Sequence, residues 1–198
     1  MNPDPLRKLH SFTGLFPLGA YLLFHAYEHV AVRAGRAALV LRLERTSHAL
    51  LEVLLVLLPL LVHAALGVRL ARTRAEHAPY ASPAFARLQL WTGIAAALFL
   101  LLHVGGVWLP RVTEQRPAAA YGAMLRQVAH LPGALLYLLG ISAVCLHFGQ
   151  GLSSLLLRHG VLGLPARGAR ILGALVGVLL WLVFLDELSA YVSGAALL

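Results

Sequence analysis

The sequence predicts an all-α integral membrane fold, a bundle of five transmembrane helices. Three observations predict it. Of 198 residues, 60% are hydrophobic and 12% are charged, half the charged share of about 25% that soluble domains carry. The apolar residues gather into five stretches, each long enough at about 1.5 Å per residue to cross a hydrocarbon core of about 30 Å. The arginines fall between those stretches or at their ends, where such residues meet lipid headgroups and set orientation. The net charge of +8 therefore points to the membrane surface, and no nucleic-acid partner is expected.

The first span covers residues 11–32, after a polar, proline-bearing start. It is too long for a signal peptide and lacks a small-residue cleavage pattern, so it reads as retained. Pro17 falls inside this span and Pro59 inside the second, 49–70. Membrane helices tolerate such prolines where neighbours satisfy the freed carbonyl. The arginine-rich link 33–48 reads as a short amphipathic helix along the interface. The link 71–87, with Pro79, Ser82 and Pro83, reads as a polar loop before the third span, 88–110. A second polar loop, 111–130, leads to the fourth span, 131–157. A short turn-rich link leads to the fifth, 171–192. None of these links can house a soluble catalytic unit, so residues 1–198 form one membrane domain. No internal repeat or phosphate-binding glycine loop is visible. The single cysteine, Cys145, lies within an apolar run and reads as packing. One cysteine makes neither an internal disulfide nor a thiolate metal site. Nine of the sixteen cationic side chains lie on the side of the N-terminus, which favours a cytoplasmic N-terminus under the positive-inside rule.

Four of the ten histidines lie deep within spans: His25, His63, His103 and His147. An imidazole in hydrocarbon is costly, and such groups mark function by default. A single one is more often bonded to a neighbouring carbonyl, but one on each of four helices at matched depth is a pattern. Each lies about 21–24 Å along its helix from the face where that helix begins. Successive helices begin at opposite faces, so His25 and His103 share one layer and His63 and His147 another, roughly 14 Å apart. Two histidines per layer on different helices are what bis-imidazole ligation of one haem requires. Structural zinc would want four ligands at one point. The expected fold is thus a five-helix bundle enclosing two haems of the b type, with the four histidines as ligands of the haem iron. His29, four residues after His25 and on the same helix face, is the alternative ligand. Gly67, Gly105, Gly149 and Gly151 are small residues that would let a macrocycle approach. His10, His48, His77, His130 and His159 lie at span edges or in loops, as solvated groups or as contacts to quinone or propionates.

The stretches around these histidines resemble the cytochrome b membrane-anchor subunit of the succinate:quinone oxidoreductase and fumarate reductase family, in its two-haem, single-anchor form. The resemblance runs from Leu9-His10-Ser11-Phe12-Thr13-Gly14 through Pro17 and Gly19 to His25, then from Leu58-Pro59 to His63-Ala64. It continues from Leu88-Gln89 through Thr92-Gly93 to His103-Val104, and ends at His147-Phe148 with Gly151-Leu152. The chain departs from the family pattern at Leu90, Gln150 and Ser153. The resemblance implies an anchor in a bacterial-type cytoplasmic membrane, holding a flavoprotein and an iron–sulfur protein on the cytoplasmic face. Electrons would pass between the iron–sulfur clusters and a quinone, menaquinone by analogy, while the dicarboxylate chemistry stays on another chain. His63 and His147 would hold the proximal haem, and His25 and His103 the distal one. Glu52 is a candidate proton acceptor at a quinone site near the distal haem, whereas Asp186 and Glu187 read as interfacial charges. The whole complex could form oligomers. Two other readings stay open: the di-haem cytochrome b of another quinol-dependent enzyme such as nitrate reductase, and a membrane protein without a cofactor.

Overall fold

The computed structural model describes residues 5–46, 48–72 and 82–193. Among them the chain is helical throughout: α1 (Pro5–Leu15), α2 (Leu18–His29), α3 (Arg36–Thr46), α4 (Ala49–Arg72), α5 (Pro83–Glu114), α6 (Pro117–Val128), α7 (Leu131–His159) and α8 (Ala166–Ser193). Four of these, α4, α5, α7 and α8, are long and apolar enough to cross a membrane. The first expected span is not one continuous helix. It divides at Phe16-Pro17 into α1 and α2. Pro17 has no N–H to return to the preceding turn, and its ring crowds the carbonyl four residues back. The expected polar loop 71–87 falls largely on residues 73–81, which lie outside the described residues, as does His77.

The end of the bundle where α1 begins is called the near end here, and the opposite one the far end. A 3-10 turn over Val30–Ala34 ends α2, and Gly35 turns the chain at φ 93°, open to glycine alone without strain. The chain then enters α3, the amphipathic helix expected in the first link. Leu39 and Leu43, four residues apart, are buried beneath it. Its arginines stay at the surface side: Arg42 lies 4.7 Å from the Tyr27 ring centre and donates to the Tyr27 carbonyl at 2.9 Å, and Arg36 lies 5.4 Å from the Tyr121 ring centre. The second expected loop is also a helix. In α6, Ala120, Ala123, Met124 and Val128 recur at helical spacing and are buried. Together α3 and α6 cover the far end, where Leu39, Leu43, Met124 and Val128 join Phe99, Tyr137, Leu188 and Tyr191 in one apolar cluster.

The tightest helix pair is α7 with α8. A Cβ on Gly149 would fall 2.6 Å from the Gly173 carbonyl oxygen, and one on Gly177 would fall 2.9 Å from that of Cys145. Only glycines allow backbones so close, as small residues do at membrane helix interfaces. Gly149 therefore serves this pairing rather than a macrocycle. Ser153 is buried in the same seam and donates to the Gly149 carbonyl at 2.9 Å. Cys145 packs beside Ala26, Leu180 and Phe184. By contrast, none of the apolar window of α4 is buried; Leu50, Leu51, Leu54, Leu55, Leu58 and Leu61 face outward, as lipid-facing side chains do.

Candidate functional site

The helices line a partly open apolar cavity of about 960 Å³ that touches all four deep histidines. They meet in two pairs. His63 on α4 faces His147 on α7 with ring centres 6.1 Å apart and planes at 80°. His25 on α2 faces His103 on α5, again at 6.1 Å, with planes at 73°. A metal–imidazole bond is about 2.0 Å, and the ring centre lies roughly 1.1 Å behind the nitrogen, so two rings across one metal stand about 6.2 Å apart. Both pairs have that separation. Among the described residues no three of His, Cys, Asp or Glu converge on a point. A donor set of two neutral nitrogens suits an iron whose porphyrin supplies the other four bonds, and suits zinc poorly. The residues fit haem.

The near-end pair is set by main-chain atoms. His63 Nδ1 lies 3.0 Å from the His10 carbonyl oxygen and 3.2 Å from Thr13 Oγ1. His147 Nδ1 lies 3.1 Å from the Gln89 carbonyl oxygen. A carbonyl only accepts, so each Nδ1 carries the hydrogen and each Nε2 keeps its lone pair for a metal. Each ring also lies against a glycine, its Cε1 nearest. A Cβ on Gly14 would come 2.6 Å from His63 Cε1, and one on Gly93 would come 2.8 Å from His147 Cε1. The two cradles are built alike. In α1, His10 accepts the bond, Thr13 ties its hydroxyl to the Leu9 and His10 carbonyls, and Gly14 takes the ring. In α5, Gln89, Thr92 and Gly93 occupy the same three places, with Thr92 bonded to the Leu88 and Gln89 carbonyls. In the sequence this local repeat shows as a leucine, two positions, an aromatic residue, then Thr-Gly, at 9–14 and again 79 positions on at 88–93.

The far-end pair is set by side chains. His103 Nδ1 lies 3.4 Å from the Tyr137 hydroxyl, which donates to Gln127 Oε1 at 2.9 Å. Among the described residues His25 Nδ1 has no hydrogen-bond partner, and Glu28 Oε2 lies 3.8 Å from it. His29 packs on the His25 ring at 4.3 Å, but its Nδ1 turns to Glu187 Oε2 at 3.6 Å. His25, not His29, thus faces His103 at ligand distance.

Glu52, at the far end of α4, accepts from Trp108 Nε1 at 2.5 Å and from Arg111 Nη2. The α4 and α5 segments beside it, Val53–Leu57 and Val104–Trp108, are both π-helical, a distortion frequent at functional sites. Neither turn is legible in the residue pattern. Asp186 and Glu187, expected as interfacial charges, are buried within the bundle. They are 2% and 7% exposed, and Arg33 reaches Asp186 from 153 residues away at 2.6 Å. At the near end His10 is not a solvated edge group; its ring packs 4.0 Å from that of His63. Gly67 lies against His10, Gly151 comes only as near as Gln89 at 3.7 Å, and nothing approaches Gly105.

Over 177 residues, 83% of its length and 84% of the relative's, the chain is 29% identical to the succinate dehydrogenase cytochrome b558 subunit of Bacillus subtilis (strain 168). The chain is thus similar to a succinate dehydrogenase cytochrome b subunit. That agrees with the family its motifs resemble, and with the multi-pass membrane fold that its four long apolar helices describe. No family model matches the sequence, and no solved structure matches it.

Proposed function

We propose that this chain is the two-haem cytochrome b anchor of a succinate:quinone oxidoreductase or fumarate reductase. The observation that carries the reading is the doubled 6.1 Å separation of imidazoles inside one apolar cavity. His63 and His147 would hold one haem b, and His25 and His103 the other. Bound haem supplies a one-electron carrier. The chain's own residues present neutral imidazole nitrogens, fix their tautomer through His10, Gln89 and Tyr137, and keep water out with apolar walls.

Residues 1–198 act as one membrane domain with a cytoplasmic N-terminus. A flavoprotein and an iron–sulfur protein dock at the near end and carry the dicarboxylate chemistry. Electrons pass from the near-end pair to the far-end pair, or back, and exchange with a quinone, menaquinone by analogy. Glu52 would take up the quinol proton; the reading is supported by its position on the cavity wall, where Trp108 and Arg111 hold its carboxylate. The expected result for the purified chain is a reduced b-type α band with two haems per polypeptide. Co-purification of a flavoprotein and an iron–sulfur protein supports the succinate assignment. A molybdenum enzyme as partner would refute it, and a colourless protein would refute the cytochrome reading altogether.

A further inference from the structure

We propose that Tyr137 and Gln127 form a relay that fixes the tautomer and tilt of His103, and so tunes the far-end haem alone. This positioning role rests on the reading of His103 as an iron ligand. The relay starts at the Gly106 carbonyl, in the π-helical turn of α5, which accepts from Gln127 Nε2 at 2.8 Å. A carbonyl has no hydrogen to give, so the amide must present nitrogen to Gly106 and oxygen to Tyr137. Tyr137 then has to donate, which it does to Gln127 Oε1 at 2.9 Å. Its only hydrogen is thereby committed, and it offers His103 Nδ1 lone pairs alone, at 3.4 Å. His103 must carry its proton on Nδ1 and leave Nε2 free.

The polarity of the chain is thus set by one main-chain oxygen three residues beyond the ligand. A Cβ on Gly106 would fall 2.6 Å from Gln127 Nε2 and push the amide aside. Tyr137 is 2% exposed, so water does not readily replace either partner. Gln127 lies on α6, outside the long spans, so the relay ties the far-end covering helix to a single ligand. The near-end ligands bond to main-chain carbonyls instead.

The test is a redox titration of the full chain purified with its haems, comparing wild type with Tyr137→Phe and Gln127→Leu, with low-spin EPR as second readout. Loss of the acceptor makes the imidazole a poorer donor to ferric iron, so the far-end potential should rise. The expected shift is about tenfold in the ferric-to-ferrous ratio at fixed potential, equal to 59 mV for one electron. The near-end potential should stay put. The double variant should match Tyr137→Phe alone, because the two groups act in series. Unchanged potentials and EPR signals in both single variants would overturn the relay, as would equal shifts of both haems. If Tyr137→Phe does not accumulate, Gln127→Leu decides by the same criterion. A wild-type chain with two haems that His103→Ala leaves in place would instead overturn the ligand reading.

Discussion

Replacing Gly93 by alanine places one methyl group against a proposed haem ligand. The new Cβ would stand 2.8 Å from His147 Cε1 and 3.1 Å from its Nδ1. Carbon atoms rest at about 3.5–4.0 Å, so the imidazole has to retreat by roughly 0.7–1.2 Å. It cannot retreat along α5, because its Nδ1 is bonded to Gln89 of the same helix at 3.1 Å. Moving outward lengthens that bond beyond hydrogen-bond range and narrows the 6.1 Å gap to His63. Overpacking of this kind costs about 1–3 kcal/mol, or roughly 5- to 150-fold in occupancy at 1.4 kcal/mol per factor of ten. The expected product is a folded chain with one haem, the far-end one. Haem per polypeptide by alkaline pyridine spectrum, with a redox titration, reads it out. Gly14→Ala, 2.6 Å from His63 Cε1, should empty the same site. Gly122→Ala, whose Cβ would meet only the end of the Arg126 side chain at 3.4 Å, should change nothing. A Gly93→Ala protein that keeps two haems at unchanged potentials would refute the cradle and the pairing behind it.

His63→Ala and His147→Ala should each remove the near-end haem and spare the other, and His25→Ala and His103→Ala the reverse; optical redox titration separates the two. Glu52→Gln keeps an acceptor for Trp108 but no proton-accepting carboxylate, so both haems should remain while quinol oxidation slows by about tenfold or more in steady-state assays. Arg33→Ala leaves Asp186, 2% exposed, without its guanidinium partner. With Arg33 itself half-exposed, the loss should be about 2 kcal/mol, read as a fall of roughly 6 °C in thermal unfolding in detergent.

The long spans were legible because length and hydropathy are local properties. The pairing of His25 with His103 and of His63 with His147 was foreseen from depth alone, since antiparallel helices fix which positions share a layer, and the rings do meet in those pairs. What misled was mostly decided across the chain. Pro17 lay in a run apolar enough to suggest one helix, yet it divides α1 from α2. The stretch in α6 was read as a loop because its flanking arginines hid an apolar face, Ala120, Ala123, Met124 and Val128. The burial of Asp186 is invisible in the sequence because its partner Arg33 lies 153 residues away. The glycines beside the histidines in sequence were proposed as macrocycle contacts. The glycines that do touch the near-end imidazoles, Gly14 and Gly93, belong to other helices.

The two ends of the cavity differ in what a side-chain change can reach. At the near end the carbonyl acceptors are the main-chain oxygens of His10 and Gln89, which survive substitution, with Thr13 Oγ1 as a side-chain partner of His63 at 3.2 Å. Gln89→Ala removes only the long bond from its Nε2 to the His147 carbonyl, 3.3 Å, and leaves the oxygen that holds His147 Nδ1. It should therefore keep both haems and move the near-end potential by less than Tyr137→Phe moves the far-end one, although Gln89 is nearer its ligand. Redox titration of the two variants side by side makes the comparison. A larger shift from Gln89→Ala would mean that the amide, not the carbonyl, governs His147, and the likeness between the α1 and α5 cradles would lose its physical basis. If the smaller shift is found, the near-end site is tuned by backbone geometry, and the far-end site is the one that single substitutions can retune.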